Sequence, residues 1–143
     1  MARHDTTMSW QTAAILVARL IFAGVFLMAT AFKFMGMEAT AGFIASAGFP
    51  FPLFLAWVAA FFELALVFCF VTGAFFTEAC LLAGIYVIFL GFAFHGPDRW
   101  QGNQTEFGFF VDHFTFLAGL LFAAVTGPGP KLAPLDWRIL SRR

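Results

Sequence analysis

Four long apolar stretches, separated by shorter segments rich in glycine, proline and polar residues, dominate the pattern of this chain. They occupy residues 11–32, 53–71, 78–95 and 106–125. Each approaches the roughly 20 residues that an α-helix needs to cross the hydrocarbon core of a bilayer. We therefore predict an all-α integral membrane protein, a four-transmembrane-helix bundle that forms a single domain over residues 1–143.

The longest connection between spans has a pattern of its own. Its stretch "ATAGFIASAGFPFP" (39–52) is typical of a short helix at the membrane surface that ends at Gly48. An extended proline segment follows, and Pro52 suits the first turn of the second span. The "GPGP" run at 127–130 ends the fourth span.

Composition supports the membrane class. Hydrophobic residues make up 62% of the chain and charged residues 11%, against about 45–50% and about 25% in soluble domains. The net charge is zero and no basic block occurs, so nucleic acid is not an expected partner. Cys69 and Cys80 each fall inside an apolar span, where small buried hydrophobes are expected instead of a disulfide framework.

Lysine and arginine are distributed unevenly between the two sides. Setting aside Arg19 inside the first span, five lie on the side of the termini and two on the other. The five are Arg3, Lys131, Arg138, Arg142 and Arg143, and the two are Lys33 and Arg99. Because cytoplasmic loops carry an excess of these residues, we predict cytoplasmic termini in a multi-pass protein of the plasma (bacterial inner) membrane. The N-terminal apolar run resembles a signal peptide, but its near-spanning length favours a first transmembrane helix.

Two ionisable side chains lie deep inside the first two spans. By the helical rise of 1.5 Å per residue, Arg19 and Glu63 fall at similar depths. We predict that they form a structural ion pair, because the planar guanidinium can bind a carboxylate at two points. A proton-relay role is the alternative, since ionisable residues within the membrane often mark functional paths.

The fourth span contains "FFVDHFTF" (109–116), an acid and a histidine among phenylalanines. Positions 105, 108, 112, 115 and 119 are small, hydroxylic or acidic, a pattern typical of a close helix–helix interface. This spacing predicts that Asp112 faces the bundle interior, with His113 beside it. The alternative roles are an interhelical clamp for Asp112 and a packed, singly hydrogen-bonded histidine for His113.

Lys33 and His95 lie at the outer ends of the first and third spans, and Asp112, with His113 beside it, lies in the same outer half of the bundle, roughly 9 Å below the outer end of the fourth span. These four residues predict a polar pocket in the outer leaflet, with Asp112 and His113 as catalytic proton-transfer groups and Lys33 and His95 as cofactor-binding donors. A quinone is the favoured occupant, because its carbonyls need hydrogen-bond donors and a titratable group. Neither a metal nor haem is predicted, since the side chains of the adjacent Asp112 and His113 diverge on a helix and His95 lies higher than both. The simpler alternatives are snorkelling of Lys33 to the interface and capping of a helix C-terminus by His95.

Several segments together resemble the DoxX family of membrane proteins. They are "ARLIFAGVFLMATAFKFMG" (18–36), "IASAGFPFPLFLAWVAAFFELALVFCFVTG" (44–73) and "FLAGLLFAA" (116–124), and the resemblance spans about residues 12–136. It implies a four-helix membrane bundle, and the family takes its name from a subunit of thiosulfate:quinone oxidoreductase. Arg19, Lys33, Glu63 and His95 match family-typical polar positions. The pair Asp112–His113 departs from the family pattern, which more often has Lys-Asn there.

Two functional hypotheses follow. In the first, the chain is a membrane subunit of a redox-linked assembly with a quinone-contacting pocket, and at most a subunit of a quinone-linked oxidoreductase. In the second, it is a non-catalytic accessory subunit that packs within a larger respiratory or photosynthetic membrane complex. The expected partners are the lipid bilayer and either other membrane subunits or further copies of the chain.

Overall fold

The computed structural model describes residues 8–140, and Arg3, Arg142 and Arg143, which contribute to the predicted orientation, lie outside this range. The described residues form five α-helices, a short 3-10 turn at Pro97–Arg99 and no strands. The helices are α1 (Trp10–Met35), α2 (Met37–Ser46), α3 (Pro52–Thr72), α4 (Phe76–His95) and α5 (Gln104–Thr126). Four of them, α1, α3, α4 and α5, are long and apolar enough to cross a membrane. The predicted all-α fold with four transmembrane helices is confirmed.

The four spanning helices pack as two antiparallel pairs. Helix α1 lies along α3, and α4 lies along α5. One end of the bundle, which we call the terminal end, contains the starts of α1 and α4 and the ends of α3 and α5. Helix α2 and the 3-10 turn lie at the opposite, loop end.

An aromatic core joins the two helix pairs near the terminal end. The Phe22 ring on α1 lies 5.3 Å from the Phe116 ring on α5, centroid to centroid, in an edge-to-face arrangement. The Phe26 ring stacks on Phe70 of α3 at 5.7 Å, and Phe70 meets Phe76 of α4 at 5.9 Å. These ring contacts join all four spanning helices.

Glycines of α4 allow α5 to approach closely. A Cβ atom added to Gly84 would lie 2.9 Å from Cδ1 of Leu117, and one added to Gly91 would lie 3.1 Å from Cβ of His113. Helix α4 thus provides the small residues at this interface, and α5 provides the larger side chains that fill the notches.

The short helix α2 confirms the prediction of a helix within residues 39–52. Its Ala41 and Ile44 side chains are buried, and the Phe43 ring stacks on Phe94 of α4 with centroids 4.8 Å apart. Gly48 follows with φ of +83°, a left-handed conformation that glycine adopts without steric cost. Helix α2 therefore covers the loop ends of α3 and α4.

The residues after α5 fold back across the terminal end. This C-terminal segment, residues 127–140, pairs with the turn between α3 and α4 through main-chain hydrogen bonds. The Phe75 amide donates to the Trp137 carbonyl at 2.6 Å, and the Leu135 amide donates to the Thr72 carbonyl at 3.3 Å. The Glu78 carboxylate accepts from the amides of Ile139 and Leu140 at 2.5 and 2.6 Å. The segment is therefore an integral part of the bundle.

Candidate functional site

A network of three side chains around the buried Glu63 carboxylate links three of the spanning helices. Lys33 of α1 donates to both carboxylate oxygens of Glu63 of α3, each at 2.9 Å. The Tyr86 hydroxyl of α4 donates to Glu63 Oε1 at 2.8 Å. The Glu63 side chain is 2% exposed and that of Lys33 is 18% exposed. We call Lys33, Glu63 and Tyr86 the buried triad.

The predicted Arg19–Glu63 ion pair is wrong. Side chains on a helix lean toward its N-terminus, and α1 and α3 run in opposite directions. Arg19 therefore leans toward the terminal end, whereas Glu63 leans toward the loop end. Lys33 starts near the loop end and leans back into the bundle, so it reaches Glu63. Backbone depth alone predicts the wrong cation because it ignores this tilt.

Arg19 instead binds the C-terminal segment. Its guanidinium donates to the carbonyl oxygens of Pro128, Lys131 and Leu132 at 2.7, 2.9 and 2.5 Å. Arg19 itself is 1% exposed. Carbonyl oxygens at the start of an irregular segment need donors, and a planar guanidinium can serve several of them together. Arg19 is thus a structural anchor for the segment that closes the terminal end.

A second polar group lies at the loop end, between α4 and α5. His95 Nδ1 lies 2.7 Å from Glu106 Oε2, and the Trp100 indole donates to the His95 carbonyl at 2.8 Å. The side chains of His95 and Glu106 are 20% and 24% exposed, so a molecule at the membrane surface can reach them. His113 completes the group, with its ring centroid 5.4 Å from that of His95. We call His95, Trp100, Glu106 and His113 the loop-end cluster.

Both histidines of the loop-end cluster use Nδ1 in a local hydrogen bond. His113 Nδ1 lies 2.6 Å from the Phe109 carbonyl oxygen. Because a carbonyl oxygen only accepts, Nδ1 carries the hydrogen in this contact, and an ionised Glu106 requires the same of His95. The Nε2 atoms, which have no hydrogen-bond partner among the described residues, are then proton acceptors when the rings are neutral.

Asp112 lies away from this cluster, and the prediction that it faces the bundle interior is wrong. Its side chain is exposed on the surface of α5, as is that of Thr115. Of the predicted stripe on α5, Gly119 packs against Phe22 of α1, where an added Cβ atom would lie 3.2 Å from the ring, whereas an added Cβ atom at Gly108 would meet nothing within 4 Å. The close α4–α5 approach depends instead on Gly84 and Gly91 of α4. Large side chains of α5 face α4 instead, and Asp112 points outward.

The structure therefore brings together only part of the predicted pocket. His95 and His113 are neighbours, Lys33 belongs to the buried triad, and Asp112 is on the bundle surface. Sequence analysis missed Tyr86 and Glu106. Tyr86 is the single tyrosine of the chain, and a phenol inside an apolar span is a signal for a buried acceptor. Within residues 8–140, no three histidine, cysteine or acidic side chains form a group that could hold a metal ion.

Comparison with protein families matches residues 14–96 to DoxX, which is more than half of the chain. The chain belongs to the DoxX family. The match runs from the first turns of α1 to the end of α4 and includes Arg19, the buried triad and His95. It stops before α5, so Glu106, Asp112 and His113 lie outside the matched region of this DoxX-family protein. Comparisons with curated proteins and with solved structures gave no match.

Proposed function

We propose that this DoxX-family protein is a membrane subunit of a redox-linked assembly in the bacterial inner membrane, and that its loop-end cluster contacts a quinone headgroup. The observation that carries the proposal is the His95–Glu106 contact of 2.7 Å between two partly exposed side chains. With both termini cytoplasmic, as the lysine and arginine distribution predicts, this contact lies in the outer leaflet.

The chemistry of the contact suits a quinone carbonyl. Reduction of a quinone takes up protons together with electrons, and oxidation of the quinol releases both. Glu106 fixes the His95 ring through Nδ1, so Nε2 faces the headgroup: it donates to a quinone carbonyl when the ring is protonated and accepts the quinol proton when the ring is neutral. The electrons come from a redox partner subunit, and the role of this chain is to bind the headgroup and exchange protons with it.

The surroundings of His95 suit the rest of the ligand. The Phe109 ring lies edge-on to His95, with centroids 5.2 Å apart, and the Trp100 ring lies 5.0 Å from that of Phe110. Aromatic rings of this kind pack against a flat headgroup. The neighbouring surface of α4 and α5 carries exposed phenylalanines, including Phe92 and Phe107, alongside which an isoprenoid tail can extend into lipid.

Titration of the purified chain with a short-chain ubiquinone analogue tests the proposal. We expect His95→Gln and Glu106→Gln each to weaken binding at least about tenfold, because each removes a hydrogen bond worth roughly 1.5–3 kcal/mol to a charged group. Asp112→Asn is the matched control, since it changes an acid to its amide on the same helix but outside the cluster. Unchanged binding in both cluster variants, or an equal loss in Asp112→Asn, would contradict a quinone site at His95.

A second candidate function is an accessory subunit of a larger membrane complex, and one observation favours it specifically. Asp112 is a charged residue on the surface of a spanning helix, where lipid alone is an unfavourable neighbour. If the ubiquinone analogue does not bind the wild-type chain, this candidate replaces the first. Its test is whether assembly, instead of ligand binding, depends on Asp112.

A further inference from the structure

The lipid-facing surface of the described bundle is almost entirely apolar. Exposed side chains in the spans are large hydrocarbons such as Leu27, Phe61, Phe68 and Ile85. Helix α5 differs, because Asp112 and Thr115 are both exposed and lie one turn apart on one face. This pair interrupts an otherwise continuous apolar surface.

The depth of Asp112 makes its exposure costly. Asp112 lies eight positions after Gln104 at the start of α5, which places its Cα about 12 Å along the helix from the loop end. That depth lies within a hydrocarbon core of about 30 Å. Aspartate is too short to carry its carboxylate to the headgroups from there, so a lipid environment leaves it without a partner.

The same face of α5 has the shape that a neighbouring helix requires. Gly108 lies one turn from Asp112 toward the loop end, and a Cβ atom added there would meet nothing within 4 Å. Thr115 lies one turn away in the other direction. Small residues on both sides of a polar group let a second helix approach closely enough for a direct hydrogen bond.

Charge complementarity identifies the kind of partner. A second copy of this chain has no free lysine or arginine in its described spans for Asp112, because both such side chains are already bound. Lys33 is paired with Glu63, and Arg19 donates to three carbonyl oxygens. A symmetric dimer through α5 would bring Asp112 against its own copy, which like charges disfavour.

We propose that Gly108, Asp112 and Thr115 form a docking face for a transmembrane helix of a different subunit that carries a lysine or arginine at the depth of Asp112. The partner cation compensates the carboxylate, and Gly108 and Thr115 accept the partner helix. This docking face is independent of the quinone proposal, because Asp112 is not part of the loop-end cluster.

A polyleucine transmembrane peptide with a single lysine tests the docking face. The lysine is placed about 12 Å from the peptide end at the loop side, matching the rise along α5 to Asp112. The full chain carries a donor dye on an added C-terminal tag, and the peptide carries the acceptor. Energy transfer is measured in phosphatidylcholine vesicles. We expect the wild type to bind the lysine peptide at least tenfold more tightly than an all-leucine peptide.

The variants determine whether Asp112 is responsible. Asp112→Asn is expected to abolish the preference for the lysine peptide and Asp112→Glu to retain it. Asp98→Asn, an acid-to-amide change in the 3-10 turn, is expected to retain it as well. An unchanged preference in Asp112→Asn would overturn the proposal. Self-association of the labelled chain that is lost in Asp112→Asn would also overturn it, because the partner would then be a second copy.

Discussion

Lys33 and Glu63 are joined by two hydrogen bonds of 2.9 Å, although 30 residues separate them along the chain. The glutamate also accepts from Tyr86 at 2.8 Å. One nearly fully buried carboxylate therefore holds α1, α3 and α4 in a fixed relation. Among the described acidic residues, Glu63 is the one that hydrogen-bonds to two other side chains. The effect of replacing it on the free energy of unfolding can be measured.

Glu63→Gln is expected to lower the free energy of unfolding by about 3–5 kcal/mol, because it leaves the Lys33 ammonium without its counter-charge. Lys33→Met is expected to cost at least as much, because it leaves the Glu63 carboxylate, which is 2% exposed, without its counter-charge, whereas the partly exposed Lys33 ammonium can reach the membrane surface when Glu63 is changed. Unfolding of purified protein in detergent micelles measures both.

A double-mutant cycle identifies the partner. Lys33→Met combined with Glu63→Gln is expected to cost clearly less than the sum of the single changes. Arg19→Gln combined with Glu63→Gln serves as the control, and those losses are expected to add. Coupling of Glu63 to Arg19 in place of Lys33 would refute the arrangement of the buried triad.

Arg19→Met is expected to release the C-terminal segment while leaving the four spans in place. The guanidinium bonds three backbone carbonyls of this segment, and hydrogen bonds to charged groups contribute about 1.5–3 kcal/mol each. Hydrogen exchange at the amides of Ile139 and Leu140, which donate to Glu78, is expected to become at least about tenfold faster.

Arg138→Met is the matched control for this change. Arg138 pairs with Asp136 on the exposed surface, and exposed ion pairs contribute only about 0–1 kcal/mol. Its loss is expected to leave exchange at Ile139 and Leu140 nearly unchanged. Equal acceleration in the two variants would mean that Arg19 does not anchor the segment.

Gly91→Ala is expected to destabilise the bundle by about 1–3 kcal/mol, the usual cost of overpacking. The added Cβ would lie 3.1 Å from both Cβ and Cγ of His113, atoms close to the backbone that cannot easily move aside. Gly24→Ala makes the same change in α1, where nothing lies within 4 Å, and is expected to be neutral or slightly stabilising. Thermal unfolding compares the two variants, and a similar cost for both would contradict the close α4–α5 packing.

Cysteine labelling tests the predicted orientation. Gln101→Cys at the loop end and Asp136→Cys in the C-terminal segment both place a thiol on the exposed surface. A membrane-impermeant maleimide applied to intact bacteria is expected to label position 101 and to leave position 136 unlabelled until the cells are opened. The wild-type chain, with Cys80 buried and Cys69 partly buried, gives the background. The reverse pattern would place the termini outside.

The spans and the short helix α2 could be predicted from the sequence because each depends on a local pattern. An apolar run long enough to cross a bilayer has few alternatives, and Gly48 and Pro52 mark where α2 ends and α3 begins. Helix α1 ends at Met35, three residues beyond the predicted span, since the apolar run does not show how far the hydrogen-bonded helix continues past Lys33.

The contacts between spans were harder to predict. They depend on the direction in which each side chain leans along its helix, and on which of two packed helices provides the small residues that let the other approach. Arg19 and Glu63 have similar depths, yet their side chains lean in opposite directions. The small residues around Asp112 have the spacing of an interface, but nothing in that spacing shows whether the partner helix belongs to the same chain. The residues that Arg19 contacts, at 128–132, lie more than 100 positions further along the chain. No short sequence pattern around Arg19 indicates this contact.

The anchoring of the C-terminal segment by Arg19 also sets an order of events during synthesis. The ribosome makes Arg19 109 residues before its acceptor Pro128. Throughout that interval the first span contains a guanidinium with no carbonyl partner from this segment, and its lean toward the terminal end lets it reach interfacial water. Helix α1 therefore acquires its final surroundings only after α5 and the start of the C-terminal segment have been translated. A nascent chain released just after α5 would contain α1, α3, α4 and α5 and still lack the contacts that complete α1.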